Sequence, residues 1–379
     1  MPEQVFAEVK DDDHASLFPP PMHLKGTAMQ WMIYGANGYT GRMIAAAAVQ
    51  RGLRPVLAGR NAAALAALAT PHDLPTRTFA LDDAATVAKA LDGIGLVLHC
   101  AGPFSTTSAP MLEGCLMAKT HYLDITGEIR VFAHCHAQDA RARAAGIVVL
   151  PGVGFDVVPT DCLAAQLKRA LPTANSLVLA FDAGGGPSPG TAKTSIEGLG
   201  QGGRIRENGL LKRVPLAWKT RTFERDGVSR TAMTIPWGDV FTAGISTAIP
   251  NIEVYMAAPP ATIARIRRLR WLRPLLGLSP VQAVLKAQVA KRVPGPSSAN
   301  RASTGCTIWG EVRDASGRQL RRQLRTPNAY ELTVSAALGI VQRLLDGSAP
   351  AGFATPSMLM GADYILSLPG TSIAQEDIP

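Results

Sequence analysis

The sequence predicts an α/β fold in two domains: a doubly wound parallel sheet first, and then an α+β domain built on a mostly antiparallel sheet. The chain has 379 residues, more than one typical domain holds. Strand-like and helix-like segments alternate from residue 29 to about 155, which indicates a parallel sheet with helices on both faces. Beyond Gly154, strand-like segments rich in Thr and Val follow one another, which favours antiparallel pairing.

The elements of the first domain are predicted from apolar runs that end in turn residues. We expect strands at 31–34, 54–58, 77–81, 96–100, 122–125 and 147–150, and helices at 40–52, 62–69, around Val87 and Leu91, at 111–118 and at 131–145. In the second domain we expect a helix at 160–170, strands at 177–181, 221–223, 231–235 and 252–256, a hairpin over 306–324 that turns at 315–317, and a helix at 330–345.

Three glycines in the spacing G-x-x-G-x-x-G follow the first strand, and an alanine-rich helix follows them. This arrangement places the pyrophosphate of a dinucleotide on a helix N-terminus, although an ordinary glycine turn is the alternative. Gly35 would make the tight turn, Gly38 would admit the phosphates, and Gly41 would let the helix pack on the strand. The parallel sheet is therefore predicted to be of the Rossmann type. The turn residues expected to bind the cofactor are Gly35, Asn37, Gly38, Tyr39, Thr40 and Gly41.

The second predicted strand ends without the acidic residue that holds the ribose of NAD. Arg60 stands there instead, and its guanidinium suits a 2′-phosphate, so we predict NADP as the cofactor. The alternative is a solvated Arg60 that caps the next helix. Ligands of such sheets lie at the carboxyl ends of the strands, so Ala101, Gly102 and Pro103 are predicted to line the cofactor. Asp82 is expected either to bind the adenine side or to cap a helix.

Composition narrows the classes of partner. The formal net charge of +9 favours anionic ligands. We find no nucleic-acid motif, and aromatic residues make up only 6% of the chain, so we expect no nucleic-acid partner. The five cysteines include no C-x-x-C pair, which favours a reduced, cytoplasmic protein. No apolar run approaches the ~18 residues of a membrane-spanning helix.

A metal site is not expected. His134 and His136 flank Cys135, but the segment reads as a helix, and residues two apart on a helix do not share a face.

Several further motifs occur together with the glycine turn and in a fixed order. They are the residues at 35–41, 58–60, 101–104, 121–128, 152–161, 295–297 and 329–333. In these motifs the chain resembles the saccharopine dehydrogenase-like oxidoreductases, a family of two-domain NADP-binding proteins. It looks closest to the trans-acting enoyl reductases, which reduce a carbon–carbon double bond on a lipid-building acyl chain. The resemblance implies a reductase of a hydrophobic acyl or enoyl substrate. The segment Ser188-Pro189-Gly190-Thr191 departs from the family's usual Ser-Gly-Gly-Thr, which leaves the substrate open.

Tyr122 and Asp124 are the candidate catalytic residues. They lie two apart on a predicted strand and therefore share a face, so Tyr122 would donate a proton and Asp124 would orient it. The alternative is that Tyr122 is a half-buried strand residue and that Asp124 and Glu128 bind loop backbone. Asp156 and Asp161 are expected to cap a helix start.

The segment 263–276 interleaves arginines with Ile, Leu and Trp. This pattern suits the surface of an anionic membrane or an acyl carrier, and the alternative is a helix with its apolar side on the core. We expect a cytoplasmic protein and keep open a peripheral contact through 263–276 with a membrane or an acyl carrier. A homodimer is a further possibility, since the sequence does not determine the oligomeric state.

The predicted division of the chain is a flexible leader at 1–28, an NADP-binding domain at 29–155, an α+β substrate and dimerisation domain at 156–327, and a C-terminal helix and tail at 328–379. Two other functions stay open: a saccharopine-type dehydrogenase acting on an amino acid-derived substrate, and a sensor that binds NADP without turnover.

Overall fold

The structure is a computed structural model that describes residues 29–347 and 349–377. The leader predicted at 1–28 lies outside these residues. Seven strands within them form a parallel sheet: β1 (Trp31–Tyr34), β2 (Val56–Gly59), β3 (Thr76–Thr78), β4 (Leu96–His99), β5 (His121–Asp124), β6 (Val148–Leu150) and β15 (Gly352–Phe353). Their spatial order is β15-β6-β5-β4-β1-β2-β3. The order reverses between β1 and β4, which opens a crevice at the carboxyl ends of these two strands.

The second sheet, again within the described residues, has nine strands. They are β7 (Ser176–Ala183), β8 (Gly203–Glu207), β9 (Leu210–Val214), β10 (Thr220–Arg225), β11 (Val228–Thr234), β12 (Asn251–Ala257), β13 (Cys306–Arg313), β14 (Gln319–Thr326) and β16 (Ser372–Asp377). All of its pairs are antiparallel except β12 with β7. The predicted fold class is confirmed.

The helices of the first half are α1 (Tyr39–Gln50), α2 (Ala62–Ala69), α3 (Ala84–Ala90), α4 (Phe104–Ala118), α5 (Ile129–Ala137), α6 (Asp139–Ala145), α7 (Val158–Ala170) and α8 (Pro189–Gln201). Those of the second half are α9 (Asp239–Ser246), α10 (Pro260–Leu269), α11 (Arg273–Leu276), α12 (Ser279–Arg292), α13 (Ser298–Ser303), α14 (Ala329–Leu345), α15 (Pro356–Met360) and α16 (Tyr364–Ser367). Short 3₁₀ turns occur at Thr70–His72 and Arg270–Leu272.

Two helix predictions need correction. The helix predicted at 131–145 is two helices, because the chain turns at Gln138 between α5 and α6. The helix predicted from residue 111 begins seven residues earlier at Phe104, whose backbone N–H is bound by the carboxylate of Glu128. That carboxylate is the hydrogen-bond acceptor at the helix start. It lies outside residues 104–111, so these residues alone do not predict where the helix begins.

The two sheets share one core. A continuous apolar cluster runs from Ile33 and Leu98 in the parallel sheet through Leu338 of α14 to Ile308 in the second sheet. The segment after residue 328 also adds one strand to each sheet, β15 beside β6 and β16 beside β14. The domain boundaries drawn from the sequence stay predictions.

Candidate functional site

The glycine turn has the geometry that the spacing predicts. Gly35 adopts a φ of +81°, and a Cβ there would lie 2.8 Å from the Cβ of Ala101. A Cβ on Gly41 would lie 2.3 Å from the carbonyl oxygen of Gly35. Both positions therefore require glycine, the first for backbone conformation and contact, the second for contact alone.

The N-terminus of α1 is open to a ligand. Its N-cap, Gly38, makes no side-chain capping bond, so the first-turn N–H groups receive no partner from a capping side chain. These N–H groups and the positive end of the helix dipole favour a phosphate at this point.

A cleft of about 570 Å³ lies in front of this helix. Its walls include eight of the eleven residues predicted to bind the cofactor: Gly35, Asn37, Gly38, Tyr39, Thr40, Arg60, Ala101 and Gly102. The cleft walls do not include Gly41, which is buried under the turn, or Asp82 and Pro103. The structure thus brings the glycine turn, the end of β2 and the end of β4 to one place.

Arg60 lies on the cleft wall and is exposed. The cap of α2 is Asn61, whose side-chain oxygen accepts a hydrogen bond from the N–H of Ala64 at 3.0 Å. The capping role considered for Arg60 is therefore wrong. Asp82 does not cap α3 either, because Asp83 accepts the hydrogen bond from the N–H of Thr86 at 2.8 Å.

The other wall of the cleft comes from the second half of the chain. Ser188, Pro189, Gly190 and Lys193 belong to the start of α8 and line the cleft opposite the glycine turn. Sequence reasoning missed α8 and its lysine. Serine followed directly by proline is a helix-start signal that would have found it, since Ser188 caps α8 by accepting from the N–H of Thr191.

The glycine turn is tied to this opposite wall by an aromatic contact. The rings of Tyr39 and Tyr330 meet edge to face, with centroids 5.0 Å apart. Arg301 donates a hydrogen bond to the hydroxyl oxygen of Tyr39 at 3.0 Å, and that hydroxyl donates in turn to the carbonyl of Pro296. These contacts connect the glycine turn to α14 and to residues 296–301 of the second half of the chain.

The predicted catalytic pair does not reach the cleft. Tyr122 is fully buried and donates a hydrogen bond to the carboxyl group of Asp124 at 2.5 Å. Asp124 is also fully buried and accepts from the backbone N–H groups of Thr126 and Gly152, both at 2.9 Å. The shared face is as expected, but these bonds fit the alternative in which Asp124 holds loop backbone. The catalytic role of Tyr122 and Asp124 stays a prediction, and their burial counts against it.

Glu128 is not among the residues that line the cleft, but it binds the backbone next to the end of β4. It follows β5, and one of its carboxyl oxygens accepts from the N–H of Phe104 at 3.0 Å, two residues beyond the wall residue Gly102. Burial, together with the nearby negative charge of Glu197, raises the pKa of Glu128 to about 7. Glu197 itself accepts from the hydroxyl of Ser105 at 2.9 Å.

Asp156 is the second protonatable carboxyl in this region. Its side chain occupies the space that a Cβ on Gly127 would need, 2.7 Å from one carboxyl oxygen. Burial raises the pKa of Asp156 to about 7. The expected capping role is wrong for both aspartates of this segment, because the N-cap of α7 is Val157 without a side-chain bond, and Asp161 instead bridges Ser246 and the N–H of Ser357.

A cofactor with two phosphates and a 2′-phosphate fits this cleft. The uncapped start of α1 and the glycines leave room for phosphates to approach the backbone. Arg60 and Lys193 place two cations on the walls of the same cleft. None of the described residues form a cluster of three or more His, Cys, Asp or Glu side chains suited to a metal ion.

Comparison with known proteins finds a family for the segment that forms most of the parallel sheet. Residues 31–150 match the family of the saccharopine dehydrogenase NADP binding domain. The match concerns this segment, which is about a third of the chain. The predicted family resemblance and the prediction of NADP as cofactor are thereby confirmed.

The relatives of this segment include trans-acting enoyl reductases and a saccharopine dehydrogenase-like oxidoreductase. A trans-acting enoyl reductase of Mycobacterium leprae is 31% identical over 148 residues, which are 36% of this chain and 35% of that protein. A probable mitochondrial saccharopine dehydrogenase-like oxidoreductase of Arabidopsis thaliana is 28% identical over 147 residues, 34% of this chain and 32% of that protein. The matching segment thus spans about a third of each of these relatives.

Beyond the NADP-binding domain, the likeness is one of fold. The solved saccharopine dehydrogenase (L-Glu forming) of Saccharomyces cerevisiae superposes with a TM-score of 0.65 over 92% of this chain and 99% of that one, at 12% identity.

Proposed function

We propose that the protein is an NADP-dependent oxidoreductase that reduces the carbon–carbon double bond of a hydrophobic enoyl substrate. The observation that carries this proposal is the cleft in front of the glycine turn, which has Arg60 on its wall for a 2′-phosphate, together with a protonatable carboxyl, Glu128, bound to the backbone next to the end of β4. Arg60 directly follows β2, and Glu128 follows β5, and these strands lie on opposite sides of β1 in the sheet. Bound NADPH supplies a hydride, and therefore two electrons, to one carbon of the double bond. A proton must reach the other carbon to give the saturated chain.

The chain's own residues have three tasks in this reaction. The N-terminus of α1 and Arg60 bind and orient the phosphates. The start of α8 forms one wall of the cleft, which would limit the access of water to a bound substrate. Glu128 holds the proton, because a carboxyl with a pKa near 7 is protonated in a large fraction of molecules at neutral pH.

The charges near Glu128 favour a neutral substrate over an amino acid-derived carboxylate. The negative charge of Glu197, which pairs with Lys286, helps to raise the pKa of Glu128, and a substrate carboxylate beside Glu128 would add another negative charge. Among the described residues of the cleft wall, Arg60 is the single arginine, and it lies on the side of β2. The names of the mycobacterial relatives support the same choice.

A substrate panel tests this proposal. NADPH consumption would be followed with a long-chain 2-enoyl thioester, and separately with glutamate plus an aldehyde. We expect consumption with the thioester alone, in equal amount to the saturated product found by mass spectrometry. Consumption with glutamate and aldehyde alone would indicate a saccharopine-type dehydrogenase. NADPH binding without NADPH consumption in either assay would indicate a sensor. Each of these two results would contradict the proposal.

A further inference from the structure

The excess positive charge of the protein is concentrated in one segment. No Asp or Glu occurs between Glu253 and Glu311. That stretch carries nine of the chain's 38 Lys and Arg residues, which leaves 29 elsewhere, equal in number to the 29 Asp and Glu residues. The rest of the chain is therefore balanced in formal charge, and an anionic partner is attracted chiefly to this segment.

Large apolar side chains are exposed in the same segment. Trp271 is 88% exposed, Leu275 is 56% exposed and Val284 is 57% exposed. Leu272 and Leu278 are also about half exposed, at 48% and 50%. Isolated exposed apolar residues are ordinary, but five within fourteen positions of one helical segment indicate an interaction. Tryptophan in particular is enriched where an apolar phase meets water.

The arginines of this segment divide into two groups. Arg267 and Arg270 donate hydrogen bonds to the carbonyls of Ala217 and Leu216, at 3.1 and 2.6 Å, and so fasten α10 to the second domain. Arg265 and Arg268 are exposed, and no carboxylate among the described residues pairs with either. The side chain of Arg273, which the sequence pattern included, lies outside the part that the structure describes.

We propose that the basic apolar surface, defined as Arg265, Arg268, Trp271, Leu272, Leu275, Leu278 and Val284, docks on the anionic face of a lipid bilayer. Exposed Trp and Leu beside unpaired Arg is the composition of segments that lie in the interface of a membrane with acidic headgroups. None of the helices between residues 29 and 377, residue 348 aside, has the length and apolar character to cross a bilayer. The contact is therefore peripheral.

The docking surface adjoins the cofactor cleft through α8. The start of α8 lines the cleft, and its middle is fixed to α12 by a hydrogen bond from Gln282 to the carbonyl of Ile196 and by the ion pair of Lys286 with Glu197. A bilayer on this surface lies beside the helix whose start forms one wall of the cleft. This position suits a substrate with a long apolar chain, an extension that rests on the proposed function.

Co-sedimentation of the full chain with vesicles tests the docking. Vesicles of phosphatidylcholine alone would be compared with vesicles that contain phosphatidylglycerol. We expect binding to the second kind only, weakened by added salt. Arg265→Glu with Arg268→Glu should lower the partition coefficient by at least about thirtyfold, the loss expected for two basic residues at an acidic surface. Trp271→Ala with Leu275→Ala should lower it by about tenfold.

Matched controls make the test specific. Arg51→Glu with Lys89→Glu changes the net charge equally at exposed positions elsewhere, and Met117→Ala with Met358→Ala removes exposed apolar side chains elsewhere. Both controls should bind as wild type does. Absence of binding to acidic vesicles, or equal loss in the controls, overturns the docking proposal, as does binding to an acyl carrier protein without binding to vesicles. NADPH binding and enoyl reduction in detergent, measured on the same samples, show separately whether the proposed function holds.

Discussion

Glu128 is the residue on which proton transfer depends in the proposed reaction. It is held at the start of α4 by the N–H of Phe104, and burial keeps its pKa near 7 rather than near the usual 4.5. Hydrogen bonding to the N–H stabilises the ionised form, while burial destabilises it, and burial has the larger effect here. The carboxyl therefore changes its protonation around neutral pH.

The variant Glu128→Gln should lower kcat by about a hundredfold or more, because the N–H groups of an amide are too weakly acidic to transfer a proton. In wild type, activity should be constant below the pKa of Glu128 and should fall as the pH rises through about 7, since the ionised form is no donor. The measurement is the pH profile of NADPH consumption for both proteins.

Asp156→Asn is the matched control, because Asp156 has a similarly raised pKa and lies across Gly127. It should change kcat by less than about tenfold and should keep the pH profile. If the pH dependence disappears in Asp156→Asn but not in Glu128→Gln, Asp156 is the proton donor and Glu128 is not. Full activity of both variants would exclude both carboxyl groups as the proton donor and favour Tyr122.

The sequence predicts which residues of one element contact each other better than it predicts how deeply they are buried. That Tyr122 and Asp124 meet follows from the two-residue repeat of a strand, and the structure shows their hydrogen bond. That Tyr122 is inaccessible follows from the central position of β5, covered on both faces by helices, and four residues of sequence do not reveal that position.

At the scale of elements, the glycine turn was predictable because each glycine meets a local requirement. The α8 wall was not predicted, because the glycines and prolines at 184–190 read as a loop, and only Ser188 and Pro189 mark the helix start. The late elements β15 and β16 were also missed. β15 has two residues, Gly352 and Phe353, and pairs with a strand some two hundred positions earlier, which no local pattern indicates.

Gly41→Ala should weaken NADPH binding by more than about tenfold and lower the free energy of unfolding by about 1–3 kcal/mol. The new methyl group would lie 2.3 Å from the carbonyl oxygen of Gly35, so the turn must move. Gly198→Ala in α8 is the control. Nothing lies within 4 Å of a Cβ there, so this change should raise the free energy of unfolding by up to about 1 kcal/mol. Urea unfolding and NADPH fluorescence measure the two effects, and an unchanged Gly41→Ala protein would contradict the packing described for the turn.

At the scale of the whole molecule, the cleft exists because two sheets share one core. The parallel sheet supplies the glycine turn and Arg60, and α8, which follows β7 of the second sheet, supplies the opposite wall with Lys193. The composition predicted an anionic ligand from the net charge of +9, but only the structure shows that these two cations meet in one cleft, while the excess charge lies in the segment after β12.

The central claim is that this cleft binds NADPH with Arg60 at the 2′-phosphate. Titration of NADPH and NADH by fluorescence tests it most directly, with wild type, Arg60→Ala and the control Arg54→Ala. Arg54 pairs with Asp73 at the opposite end of β2, away from the cleft. We expect wild type to prefer NADPH, and Arg60→Ala to lose about tenfold to a hundredfold in NADPH affinity, the effect of about 1.5–3 kcal/mol for hydrogen bonds to a charged group, with NADH affinity unchanged. Equal affinities of wild type for the two cofactors, or equal losses in Arg60→Ala and Arg54→Ala, would contradict the account.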